Sequence, residues 1–211
     1  MSHTAIPDRE ERELPEFNAM QKVKRRFFAM RNGDLAAQMA VRGARYRINF
    51  GLNLPQIVEI ARDFLPGGAE FDGLQEDFDM ADFARRLRDN TTTRESRLIA
   101  PMLFPLEKLT AEEALEWARS ADVPEVADVL CLKLLRHFPQ AEETVERLLE
   151  SGSTDINRYC GLRLMLNLVS AGIFDLGKAS RLADQEVMRR CALTTGVSRQ
   201  ILEEVEFLSE T

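Results

Sequence analysis

The side chains of this 211-residue chain that could do chemistry are few and widely spaced. Cys131, Cys160 and Cys191 are an odd number without metal-type spacing, and read as reduced thiols that pack in a core. His3 and His137 are too few for a histidine metal site and are expected in solvent. Gly67-Gly68 reads as a turn rather than a nucleotide cradle, and no nucleophile–base pair accompanies it. Neither metal nor cofactor is therefore expected.

What the chain does gather is cations. Residues 16–65 carry nine Lys and Arg against four Asp and Glu, a balance of +5 within a chain of net charge −7. The first fifteen residues sum to −2, which leaves −10 for residues 66–211. A basic end joined to an acidic body can hold a polyanion at one end and repel it elsewhere. Lys22, Lys24, Arg25 and Arg26 lie on the first helical stretch, with Arg42, Arg45 and Arg47 around the following linker, as candidates for phosphate contacts. Apolar residues interrupt the cationic run, so only some of these side chains can share one face. Tyr46 and Phe50 stand beside them, as aromatic contacts or as packing against the next helix. The plain alternative is a solvated, arginine-rich surface.

The elements that position these residues are helical. With 45% hydrophobic and 30% charged residues the chain can bury a sizeable core. Residues 1–14 are expected to form a disordered, charge-mixed tail, and residues 15–211 a single domain. No apolar run reaches membrane-span length and no signal peptide opens the sequence, so a cytoplasmic location is expected. Phe17, Met20, Val23, Phe27 and Met30 follow three- and four-residue spacing. Asn32-Gly33 ends that helix and Asp34 begins a short second one. After the linker, Pro55 suits the first turn of a helix through Ile57, Ile60 and Phe64, closed by Pro66-Gly67-Gly68. Thr93 is a candidate N-cap for a helix through Leu98 and Leu103. Thr110 and Glu113 form a candidate capping box, and Asp122 or Val123 with Pro124 opens the next helix. Pro139 restarts the chain, Ser153 or Thr154 caps a helix through Tyr159 and Leu168, and the last helix is expected near Ser198.

First helices of three successive pairs begin near Arg94, Pro124 and Asp155, a period of roughly 30 residues of the kind that stacks into an α-solenoid. The expected fold is all-α, a solenoid of antiparallel HEAT-like helix pairs with the first helices on the concave side. The alternative is a closed helical bundle.

Two stretches go beyond pattern. The linker from Tyr46 through Phe50-Gly51-Leu52 to Pro55 and Ile57, and the run from Glu95 to Ala100, resemble matching stretches of the AlkD-like DNA alkylation repair proteins. The resemblance spans about residues 16–170, and that family folds as HEAT-like pairs. It implies DNA binding in a concave groove, to alkylated, branched or distorted DNA. Its active members are glycosylases for alkylated bases, in which an aspartate stabilises the sugar cation, an arginine holds the backbone and tryptophans line the cleft. Carried over residue by residue, Asp128 matches the aspartate. Pro124 stands where a tryptophan is expected, and Gly161 where the arginine is. Arg158 lies three residues before Gly161 and Arg163 two after, so Arg163 is the substitute for the catalytic arginine and Arg158 a candidate DNA contact. Trp117, the chain's one tryptophan, reads as a packing residue. Release of alkylated purines is accordingly expected to be slow or undetectable. The rival reading is a helical-repeat scaffold that binds a protein.

Overall fold

A computed structural model describes residues 18–42, 46–72, 74 and 78–210. The expected tail, residues 1–14, and the candidate phosphate contact Arg45 lie outside the described residues. Eleven α-helices and no strand occur among the described residues. In order they are α1 (Ala19–Ala29), α2 (Gly33–Val41), α3 (Leu54–Asp63), α4 (Met80–Arg88), α5 (Arg94–Leu103) and α6 (Ala111–Ser120). There follow α7 (Pro124–Lys133), α8 (Ala141–Leu149), α9 (Asp155–Ser170), α10 (Leu176–Met188) and α11 (Ala192–Ser209). None of them is long and apolar enough to cross a membrane.

Local chemistry explains where the helices start. Asn18, Asn32 and Asn53 each accept the amide three residues on, from Gln21, Leu35 and Gln56, at 3.0 Å. In α1 and α3 the glutamine reaches back to the cap amide, at 3.0 and 2.9 Å, closing a capping box. The box expected at Thr110 forms only halfway. Thr110 Oγ1 accepts the Glu113 amide at 3.2 Å, but the Glu113 carboxylate takes two bonds from Arg85, at 2.7 and 3.1 Å, and cannot reach back. Of the two candidates for the start of α7, Val123 is the N-cap, while Asp122 pairs with Arg97 at 2.9 Å. The expected start near Ser198 is also corrected. The final helix begins at Ala192, and Ser198 is buried mid-helix with its hydroxyl donating to the Thr194 carbonyl at 3.0 Å.

The odd-numbered helices pack in succession, α1 on α3, then α3 on α5, α5 on α7, α7 on α9 and α9 on α11. On the other side α6 packs on α8. Each helix of the closest consecutive pairs (α4 and α5, α8 and α9, α10 and α11) is joined to its mate by a short connection. The longer connections after α5 and α7 each contain a single 3-10 turn, so those pairs sit less tightly together. The packing partner of α5 among its sequence neighbours is therefore α4 and not α6.

One apolar core runs through the chain, from Val23 and Phe27 through Ile60, Leu98 and Leu130 to Ile201. Trp117 belongs to it, 2% exposed, with its ring edge-on to Phe104 at 5.3 Å and the Arg88 guanidinium 5.0 Å from its centroid. Polar pairs also tie alternate helices together, α4 to α6, α5 to α7 and α7 to α9. Arg85–Glu113 and Arg88–Glu116 are separated by 28 residues in sequence, Cys131–Cys160 by 29, and Arg94–Glu125 and Tyr159–Asp128 by 31.

Candidate functional site

The linker between α2 and α3 is fixed from beneath by Glu95. This carboxylate is fully buried and accepts the Phe50 amide at 3.2 Å, the Leu52 amide at 3.4 Å and Arg94 Nη1 at 3.1 Å. Arg94 in turn donates to the Leu52 carbonyl at 2.9 Å and pairs with Glu125 of α7 through Nε, also at 2.9 Å. Gly51 sits at φ +71°, and a Cβ there would strike the Asn32 carbonyl oxygen, so the turn requires glycine. Upstream, Ile48 exchanges backbone bonds with Thr92 and Arg94, at 2.9 and 3.1 Å. These bonds satisfy the first amide of α5, where Thr93 makes no side-chain cap. The two stretches singled out in the sequence thus build one structural unit.

Beside the linker lies a groove of about 740 Å³. Its walls include Lys22, Lys24, Arg25 and Arg26 of α1, with Phe28, Phe50 and Glu70. Arg26 pairs with Asp63 of α3. Phe28 is 59% exposed and carries the Arg31 guanidinium 3.8 Å from its ring centroid. Lys24 and Arg25, both candidate phosphate contacts, are exposed here. Arg42, at the end of α2, and Arg47, in the linker, are exposed as well, but the groove lining does not include them.

A second polar cluster spans α7, α9 and α11. Tyr159 donates its hydroxyl to Asp128 Oδ1 at 2.9 Å, and Arg163 Nε lies 2.8 Å from the same oxygen. Arg163 Nη1 reaches Gln200 Oε1 at 3.4 Å. Burial lifts the Asp128 carboxyl above its ordinary value, Arg163 and Tyr159 oppose the rise, and Glu125 adds to it. Burial and the neighbouring Asp128 push the Tyr159 hydroxyl up too. Alongside, the buried Cys131 Sγ donates to the Cys160 carbonyl at 3.3 Å and lies 3.6 Å from Cys160 Sγ. Burial and Cys160 raise the Cys131 thiol well above its usual range, which keeps it protonated.

The fold therefore brings Asp128 and Arg163 together, across α7 and α9. Gly161 has a different role: a Cβ there would meet Leu148 Cβ at 3.0 Å, so the position faces α8 and an arginine would be driven into the core. Arg158 is a correction. Expected at DNA, it is 8% exposed and bonds Glu186 Oε1 through Nε at 2.7 Å, and the carbonyls of Leu149 and Glu150 at 2.7 and 2.9 Å. Its donors are taken up inside the protein. Tyr159, Gln200, Phe28 and Glu70 are site residues that the sequence reading left out. Tyr159 had a signal, since it precedes Arg163 by one helical turn and so shares its face.

No family model, curated protein or solved structure matches this chain. Among the described residues, no group of three or more His, Cys, Asp or Glu could hold a metal ion. The site's chemistry is therefore read from its own side chains.

Proposed function

We propose that this chain is a DNA-binding solenoid of HEAT-like helix pairs, akin to the AlkD-like DNA alkylation repair family, that holds damaged or distorted DNA with little base release. The observation that carries the reading is the groove along α1, where four Lys and Arg gather with a single Glu in a chain of net charge −7. A polyanion is attracted there and repelled by the acidic body. Kinship with the family is supported by the bonding of Glu95 to the Phe50-Gly51-Leu52 turn, since these are the stretches that carry the resemblance. The recurrence of polar pairs 28 to 31 residues apart supports a repeat architecture.

Slow chemistry follows from the surroundings of Asp128. An aspartate that stabilises a sugar cation must present uncompensated negative charge to it. Here Arg163 and Tyr159 already engage the same carboxylate oxygen, at 2.8 and 2.9 Å, and burial disfavours its ionised form. Pro124 supplies no aromatic surface one turn earlier.

The test is a fluorescence anisotropy titration of duplex DNA at several salt concentrations. Changing the groove residues Lys22, Lys24 and Arg25 together to Ala should weaken binding and flatten the salt slope by up to about three units. Absence of binding at low salt, or equal slopes for the two proteins, would favour the protein-scaffold reading. That second reading draws on the exposed Ile173, Met188 and Phe207 (57%, 82% and 64% exposed) in the acidic part of the chain. Rapid release of N-alkylated purines, abolished by Asp128→Asn, would restore a catalytic role.

A further inference from the structure

We infer that the α1 groove binds an unpaired stretch of nucleic acid, with a base stacked on Phe28 and the phosphates along Lys22, Lys24 and Arg25. This deepens the DNA-binding reading and rests on it.

The argument begins with Phe28. Phe28 is 59% exposed at the groove, while Phe27, its neighbour, is fully buried. It lines the same groove as the cations, and Phe50 lines it too. Arg31 lies over one face of the ring at 3.8 Å and adds a positive charge there. A base meeting the ring from the groove would complete a stack of guanidinium, phenyl and base.

Duplex DNA cannot use that surface. Its bases are stacked on each other, and it presents phosphates and groove edges to a protein. Only an unpaired base offers a π-face, and a cationic groove with interspersed aromatics is the arrangement that holds single strands with little sequence preference. The volume, about 740 Å³, lies within the range of sites that enclose small ligands and accommodates a base with its flanking phosphates. Glu70, also in the lining, repels phosphates and so confines them to the α1 side. A distorted duplex with an extruded or frayed nucleotide would satisfy both this groove and the exposed Arg42 and Arg47.

The experiment uses the full chain and fluorescein-labelled oligonucleotides of about 12 residues, one single-stranded poly-dT and one blunt duplex. Phe28→Ala should weaken single-strand binding about tenfold and duplex binding less than about twofold, and Phe28→Tyr should restore the wild-type value. Circular dichroism melting checks that Phe28→Ala folds normally. Single-strand binding unchanged by Phe28→Ala, or an equal loss for both DNAs, would overturn the proposal. So would displacement of the single strand by poly-glutamate at equal charge concentration, which would mark a site for acidic peptides. Wild-type protein that binds the duplex but not the single strand sinks this inference and leaves the broader DNA reading standing. Binding of the single strand alone, dependent on Phe28, supports this inference while removing the claim for duplex DNA.

Discussion

The amide of Phe50 donates to the carboxylate of Glu95 across 3.2 Å, although 45 residues separate them in the chain. One fully buried carboxylate thus orders the linker from which α3 starts and, through Arg94 and Glu125, connects it to α7. Removing that charge leaves Arg94, itself 3% exposed, without a buried counterion. Glu95→Ala should destabilise the protein by about 3 kcal/mol, since the Phe50 and Leu52 amides lose their acceptor and Arg94 keeps only the partly exposed Glu125 as a counterion. For a chain of this size that corresponds to a fall of about 6–12 °C in Tm, read by thermal melting. An unchanged Tm would show that the carboxylate does not organise the linker.

Asp128 should make stability depend on pH in the unusual direction for a carboxylate. Its folded pKa is raised above the ordinary 3.8, chiefly by burial. The folded state then holds the proton more tightly than the unfolded state does. Its penalty is absent below the unfolded value, grows as pH rises through the folded value, and is complete above it. Asp128→Asn removes this dependence while keeping an oxygen to accept the Tyr159 hydroxyl. Denaturant titrations across that range should show the variant gaining on wild type as pH rises. A variant that loses ground instead would mean that the Arg163 pairing outweighs burial.

Arg158 should matter to folding and not to DNA. Truncation to Ala leaves Glu186, 1% exposed, with only the more distant Arg189 at 3.8 Å, and leaves the Leu149 and Glu150 carbonyls without this donor. The expected cost is about 3–5 kcal/mol in urea unfolding. DNA affinity per folded molecule should be unchanged. A variant of normal stability with weakened binding would return Arg158 to the DNA surface.

The thiols should divide in two classes. Cys131 and Cys160 are buried, whereas Cys191 is partly exposed at the start of α11. Titration of the native protein with a thiol-reactive chromogenic disulfide should modify Cys191 alone, with the other two reacting only after denaturant is added. Fast native reaction of all three would show that α7 and α9 separate readily.

Helix starts were legible because their signals are local. Pro124 and the Thr154 cap act within one turn, and α7 and α9 begin beside them, whereas α5 begins at Arg94 with its first amide satisfied by Ile48 and not by Thr93. The capping box at Thr110 was not legible because its partner lies far along the chain: Glu113 abandons it for Arg85. The site was harder to read because it depends on the rotational phase of α9. Arg158 shares a stripe with the buried Leu162, Met165 and Val169, at helical spacing, so the pattern did place it inward. Its charge argued the other way, and no sequence signal pointed to Glu186, 28 residues on, as the buried counterion. Phe28 was invisible for the opposite reason, since an exposed aromatic beside a buried one looks like part of the same apolar run.

The bonds around Arg158 also have a mechanical consequence. One guanidinium, carried on α9, grips the end of α8 through two carbonyls and holds α10 through Glu186. It works as a rivet through three successive helices. A load applied at the C-terminal end cannot peel α10 from the stack without shearing that rivet. The closing part of the chain should therefore yield to force in one step, while α2, which buries none of its residues, gives way under far smaller loads.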